Sequence, residues 1–471
     1  MAKKKNRTPV SKRETVETRI GRLKLENGFP TEETARKLYD EIDFGRATQA
    51  FIWALPAVGF HCLHLAHLKI FGAKDGEIVV YRDLKDKAGM LTPNLTTVYI
   101  MSFWNLADKG PLVVEVPPGL TAGGLIDIWQ RPISDIGQTG PDKGQGGKYL
   151  ILPPNAADVQ AEGYYVKRSP SVQVWFATRG LSPDTKAAEE TLRQHRLYSW
   201  NQRDNPPETK YIPVGGKRWT SNQPRSLDYW RYFTDLFQSE PIEPRDRLFF
   251  AMLKPLGIEK GKPFKPDARQ RKILTQAAEV GEITARCIAY EKRFANARVW
   301  PGKHWEYANL VELDQEGENY TQLDERSSWF YEAIGNSAGM QGRTLGFGQA
   351  YLETSKDNEG DWLDGGKSYR LRVPANPPVK QFWSITLYDN VTRGPVITNQ
   401  GAADLSSRQK LVKNADGAVD LYFGPTKPAN AIANWIKTLP GKGWFPYFRF
   451  YAPTEPYFDK TWSLPDIEKV K

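Results

Sequence analysis

Cysteine is almost missing from this chain. Its 471 residues hold two, Cys62 and Cys287. Two thiols cannot staple a chain of this length, so a disulfide-built scaffold is excluded. Cys62 sits in an apolar run and Cys287 in a helical pattern, and both read as buried free thiols. No run of eighteen apolar residues occurs, so no membrane span is expected. The opening MAKKKNRTPV is basic but has no apolar stretch behind it, unlike a secretory leader. The expectation is a cytoplasmic protein, or a periplasmic or exported one had a leader been removed.

Histidine is also scarce, with five in all. His61, His64 and His67 stand at steps of three, which spreads them over roughly 120° of a helix. A zinc pair wants steps of four on one face. The chain has no phosphate loop, no zinc ligand set and no nucleophile elbow. No metal is expected, and no motif identifies a cofactor.

The net charge of +10 suggests a nucleic-acid partner until its position is read. Residues 1–24 hold nine basic side chains against Glu14 and Glu17, so +7 lies in this arm and +3 in the other 447 residues. The body is close to neutral. The arm reads as a solvated, flexible terminus, and nucleic acid is not the expected partner.

What the chain does have is aromatic wealth, with 15 Trp, 21 Tyr and 21 Phe. Such residues suit sheet cores and binding surfaces. After a polar, partly helical lead-in, Thr31 can cap a helix that Pro56 should split in two. Short alternating segments then follow at 77–81, 97–106, 112–116, 125–130, 149–152, 164–167 and 172–178, separated by Gly/Pro turns. Helical patterns occupy 182–200, with Ser182 as cap, and then 226–239, 244–256, 267–295 and 325–335. A second set of strands lies at 349–354, 368–373, 381–388, 419–423 and 444–451. The expected fold class is α+β: two antiparallel β-sandwich, jelly-roll-like domains with a helical N-terminal segment and a helical linker. The expected boundaries are 1–30 for the basic arm, 31–200 for helices plus the first sandwich, 201–345 for the linker and 346–471 for the second sandwich.

Strand alternation separates core from chemistry. Across 124–131 one parity carries Ile126 and Ile128, while the other gathers Asp127, Trp129 and Arg131. In 444–451, Phe448 and Phe450 share one face, with Phe445, Tyr447, Arg449 and Tyr451 on the other. In 381–389, Trp383, Ile385 and Leu387 oppose Ser384, Thr386 and Tyr388. Rings stack on flat organic groups and Arg forks onto carboxylate or phosphate. The same faces also suit Arg tied to a neighbouring carboxylate. The loop at 135–148, DIGQTGPDKGQGGK, holds five glycines but no nucleotide spacing, and reads as a tight surface turn.

Long motifs then become familiar. TPNLTTVYIMSFWNL, GPLVVEVPPG and GLIDIWQRPISDIGQTGPDKGQGGKYLILPP resemble the N-terminal domain-of-unknown-function family numbered 1254. KQFWSITLYD, NADGAVDLYFGP, ANWIKTLPG and FRFYAPTEPYFDKTWSLP resemble the C-terminal family numbered 1214. The resemblance covers roughly residues 50–200 and 345–465 and implies two jelly-roll-like domains in tandem, without an assigned chemistry. The family pattern Asn-x-Asp-Thr-x-Tyr reads here as Asn94-Leu95-Thr96-Thr97-Val98-Tyr99, so Thr96 stands where a carboxylate is usual.

The functional expectation is a small organic, anionic or glycan ligand held between the polar faces of the two halves. Asn94 and Tyr99 would supply polar contacts, Trp129 a stacking ring, and Arg131 or Arg449 the grip on an anion, with Tyr451 a further ligand-binding residue. If hydrolysis occurs, Asp127 or Asp135 is the weak candidate for the base. The alternative is a structural protein that self-assembles into a homo-oligomer through its sandwiches.

Overall fold

The computed structural model describes residues 13–429 and 434–470. Residues 1–12, which hold much of the basic arm, lie outside them. Where the arm is described it is not helical. Arg13–Thr18 pairs antiparallel with Gly21–Glu26, and Phe29–Pro30 adds a short third strand. The β-branched residues Thr15, Val16 and Thr18 favour this hairpin over a helix.

Thr31 caps the next helix, its side chain accepting from the Thr34 N–H, and acidic Glu32 and Glu33 fill the first turn. This helix runs Glu32–Leu65 straight through Pro56, against the expected break. Proline removes one N–H and crowds the preceding turn, which frees carbonyls. Three carbonyls around the proline also take side-chain donors. Gln130 Nε2 donates to Pro56 O at 2.7 Å, Gln223 Nε2 to Leu55 O at 3.4 Å, and Arg326 to Trp53 O. Glu32–Phe71 is long and apolar enough to cross a membrane by composition, yet 83% of its apolar window is buried inside the fold. Helices Leu227–Phe237, Arg247–Leu253, Ala268–Tyr290 and Leu323–Glu332 pack around it. Cys62 is buried in that cluster, whereas Cys287 is exposed, because it lies on the outer side of the helix Ala268–Tyr290.

The segment expected as a helix over 182–200 is shorter. It spans Thr185–Leu192, capped by Asp184 rather than Ser182. Arg196–Ser199 is a strand, because it pairs with Leu112–Val116 and buries Leu197 and Tyr198.

The first half holds a six-stranded sheet in the order 211–213, 78–81, 99–105, 173–180, 121–126, 132–137. A four-stranded sheet accompanies it, in the order 164–168, 147–152, 112–116, 196–199. Ile100, Leu125 and Phe176 of the first sheet meet Val114, Tyr149 and Ile151 of the second in one buried cluster. The second half repeats the plan with five strands, 306–307, 349–353, 444–451, 383–389 and 404–406, and four, 435–437, 419–424, 369–373 and 468–469. Leu352, Ile385, Phe448 and Phe450 meet Leu371, Leu421 and Phe423 there. Each fully buried Leu, Ile or Phe contributes about 1.5–3 kcal/mol, and these two clusters add to the larger one around the helix Glu32–Leu65.

The sheets are not wholly antiparallel, as was expected. Tyr211–Pro213, Tyr164–Arg168 and Trp435–Lys437 each join a neighbour in parallel. All three are edge strands reached by long connections, which parallel pairing requires.

Candidate functional site

Each half turns one sheet face away from its own core, and the two outward faces meet. In strand Tyr99–Asn105 the core side carries Ile100, and the outward side carries Tyr99, Met101 and Phe103. Tyr99 and Met101 register opposite Arg179 and Ala177 of strand Gln173–Gly180. In the second half Gln349 and Tyr351 register opposite Tyr451 and Arg449. Between these faces lies a cavity of about 390 Å³, lined by Tyr99, Arg179, Gln349, Tyr351, Tyr447, Arg449 and Tyr451 among others.

The lining is electrostatically one-sided. It contains Arg179, Arg449 and Lys143 but no aspartate or glutamate. Arg449 is 2% exposed. Its Nη2 donates to Thr92 O at 2.8 Å, its Nη1 to Thr386 Oγ1 at 3.4 Å, and its Nε has no partner. Tyr447, Tyr351 and Tyr388 rings stand 5.1, 5.4 and 5.7 Å from the guanidinium. Among the described residues neither arginine has a carboxylate within ion-pair distance; tyrosines are their charge neighbours. Desolvating a cation without an ion pair costs several kcal/mol, and the ring faces offset only part of that. Burial pushes the Tyr351 and Tyr451 phenols above their ordinary range while both arginines pull them back, so the rings stay neutral donors at pH 7. The rest of the lining is apolar, with Met90, Leu91, Met101, Ile126, Trp175 and Ile334. The indole N–H of Trp175 is buried and unpartnered.

Loops close the ends. Gln138, Thr139 and Lys143 of the glycine-rich loop reach the cavity, so that loop is a wall rather than a surface turn. Asp135 ties it to the facing segment by accepting the N–H groups of Gly339 at 3.0 Å and Ala338 at 3.3 Å. Burial pushes its carboxyl up to about 6, against these hydrogen bonds.

The expected site residues divide cleanly. Tyr99, Arg449 and Tyr451 line the cavity. Asn94 stands just behind it. Its Nδ2 donates to the Tyr451 hydroxyl at 2.5 Å, its N–H to the Tyr99 hydroxyl at 3.1 Å, and its Oδ1 accepts the Thr96 N–H at 2.7 Å. It therefore orients two lining phenols. Thr96 donates to Asp404 at 3.3 Å, and burial pushes the Asp404 carboxyl up while the Lys87 ammonium pulls it back. Lys87 itself donates to Thr97 O at 2.5 Å, and burial lowers its ammonium to about 7.

Trp129, Arg131 and Asp127 do not reach the cavity. Strand Thr121–Ile126 ends before them, and a tight turn with Gln130 at φ 62° reverses the chain. Trp129 packs 4.9 Å from Trp53 and 5.5 Å from Phe237 in the helical layer. Arg131 is clamped between Asp127 at 2.6 Å and Glu243 at 2.5 Å. Asp127 is fully buried in that pair, so it cannot serve a substrate. Asp135 is spent on backbone N–H groups and is not part of the lining.

The histidines separate as well. His64 bridges Asp75 at 2.8 Å and Gln173 at 3.0 Å, while His67 meets the Tyr81 hydroxyl at 2.8 Å. Among the described residues no cluster of three His, Cys, Asp or Glu is placed to hold a metal ion.

Sequence reasoning missed Arg179, Gln349, Tyr351 and Lys143. The first three carried a usable signal. Arg179 shares parity with Trp175, and Gln349 and Tyr351 alternate with core-facing Ala350 and Leu352.

Comparison with known proteins follows this division. Residues 77–199 match the family described as protein of unknown function DUF1254, and residues 348–455 match protein of unknown function DUF1214. No curated protein matches the chain. The crystal structure of the VPA0106 protein from Vibrio parahaemolyticus is similar, with 17% identity and a TM-score of 0.58 over 91% of this chain and 100% of that one. A putative uncharacterized protein from Burkholderia cenocepacia aligns over 93% of this chain and 96% of its own, with 11% identity and a TM-score of 0.42. The first of these likenesses speaks for the fold alone.

Proposed function

Because this is a tandem DUF1254–DUF1214 protein, each of whose regions supplies one wall of the cavity, we propose that it binds a small organic anion there. The reading takes each half as a β-sandwich domain and the cavity as their shared site. The anionic group sits at Arg449 and Arg179, and the organic body extends toward Met101, Ile126 and Trp175. One observation carries the reading: Arg449 is buried at the cavity wall with a free Nε, and the lining holds no acidic residue. A charge held at that cost is best explained by an anion that arrives from outside.

The aromatic faces favour this over self-assembly. Tyr351, Tyr447 and Tyr451 point inward at the other half, not outward as a docking patch. Hydrolysis by an aspartate base is not part of the proposal, since neither Asp127 nor Asp135 lines the cavity.

The test is calorimetric titration of the intact protein with acetate, benzoate and naphthoate. Binding that strengthens with apolar size, and that falls about tenfold or more in Arg449→Met, is expected for loss of a charge-assisted hydrogen bond. Thermal unfolding of the variant checks that it is folded. Carboxylates that fail to bind, or that bind equally to the folded variant, would sink the proposal.

A further inference from the structure

One lining residue connects the cavity to charges buried behind it. The Tyr447 hydroxyl donates to Glu332 Oε2 at 2.6 Å. Glu332 lies within 4.0 Å of the Lys292 ammonium, which also stands 3.6 Å from Glu306 and in direct contact with Glu353. Lys292 and Glu332 are each 1% exposed. Glu332 Oε1 has no hydrogen-bond partner. Arg393 is the other cation near Glu332, but its hydrogen bonds go to Tyr331 O, Val391 O and Gln223. The phenol of Tyr290 completes the surroundings. The phenol of Tyr331 is turned to Glu282 instead.

Three carboxylates therefore surround Lys292, with Arg393 beside Glu332; Glu332 and Glu353 are buried, and Glu306 keeps 17% of its side chain exposed. A full set of ionised groups would leave an excess negative charge in a medium that penalises it. Groups this close share protons as a set. We propose that the cluster keeps one proton on Glu332 near neutral pH and that this proton decides where the Tyr447 hydroxyl points. With Glu332 ionised, Tyr447 must donate to it. With Glu332 protonated, the carboxyl donates to the phenol oxygen across the same contact, and the Tyr447 O–H is released into the cavity. There it can donate to an anion held by Arg449, whose guanidinium lies 5.1 Å from the Tyr447 ring. Burial pushes the Glu332 carboxyl up to about 7, with Lys292 pulling the other way. Anion affinity is then high below that pH and falls as pH rises through it. The inference rests on the anion reading of the cavity and adds a pH-dependent gate on its strength.

Two measurements separate the parts. Infrared spectra of the ligand-free protein should show a buried carboxylic C=O band that titrates near neutrality and is missing from Glu332→Gln. Benzoate should bind about tenfold tighter at pH 6 than at pH 8, the size of one hydrogen bond to a charged group. Tyr447→Phe should bind benzoate equally at both, whether or not Glu332→Gln folds. A missing band overturns the stored proton even if benzoate binds. A band with pH-independent binding overturns the hydroxyl switch. A band with no binding at either pH overturns the anion reading, and the switch with it.

Discussion

Arg179 of the first half donates its Nη1 to Gln349 Oε1 of the second at 3.0 Å. The same guanidinium lies 5.4 Å from the ring of Tyr99, its register partner across the strand pair. A neutral amide orients a guanidinium without cancelling its charge. Arg179→Met should therefore weaken benzoate binding about tenfold or more, while Gln349→Met, which leaves the charge in place, should weaken it less. Calorimetric titration of both variants checks the ranking, and equal losses would count against an electrostatic role for Arg179.

Arg131 should matter for folding and not for ligand. It joins fully buried Asp127 to Glu243, and its removal strands the Asp127 charge. Breaking one side of a buried pair costs about 3–5 kcal/mol. Arg131→Met should lower the urea midpoint accordingly. Benzoate affinity of the folded variant should be unchanged, because the side chain lies outside the cavity.

Asp135 gives the protein a pH-dependent stability. Its folded carboxyl is raised to about 6 by burial, against about 3.9 in an unfolded chain. A raised acid favours the folded state when protonated. Its contribution is fully present below pH about 4 and is lost as pH rises through about 6. The loss is on the order of 3 kcal/mol at 1.36 kcal/mol per unit. Glu240, which burial raises to about 7, acts in the same direction, so the wild-type curve is composite. Urea unfolding from pH 4 to pH 7.5 should show a smaller decline in Asp135→Asn than in the wild type. Parallel curves would mean that Asp135 is ionised throughout.

The second half was legible because its strands alternate without interruption. Phe448 and Phe450 pack on Leu371 and Leu421, while Tyr447, Arg449 and Tyr451 face the cavity. Parity alone therefore put Arg449 and Tyr451 on the face that lines the cavity. The same rule misled at Trp129 and Arg131: in this strand Ile126 faces the cavity and Leu125 the core, and the strand ends at Ile126 before a turn that the alternation does not register. The helix through Pro56 was hidden for a different reason. The carbonyls of Pro56, Leu55 and Trp53 take side-chain donors from Gln130, Gln223 and Arg326, which lie 74, 168 and 273 residues away. Arg179 and Gln349 are 170 residues apart, and their meeting is a product of docking that neither strand encodes alone.

Gly348 tests whether the cavity wall tolerates any side chain at the seam. It has φ +62°, and a Cβ there would lie 2.3 Å from the backbone O of Gly339. The obstacle is main chain rather than a flexible side-chain end, so one of the two segments must move. Gly302 has φ +73° with nothing within 4 Å of the added carbon. An alanine at Gly302 meets only the left-handed strain, about 1–3 kcal/mol. Gly348→Ala meets that strain plus overpacking, typically about 1–3 kcal/mol more. Gly348 sits beside Gln349, and Gly339 is held by Asp135, so relief of the clash displaces lining residues on both sides. The expected outcome is a larger loss of stability in Gly348→Ala than in Gly302→Ala. Weaker benzoate binding should appear in the first variant only. Equal stabilities with unchanged binding would show that the Gly339 segment can swing away, and that the wall is not fixed as described.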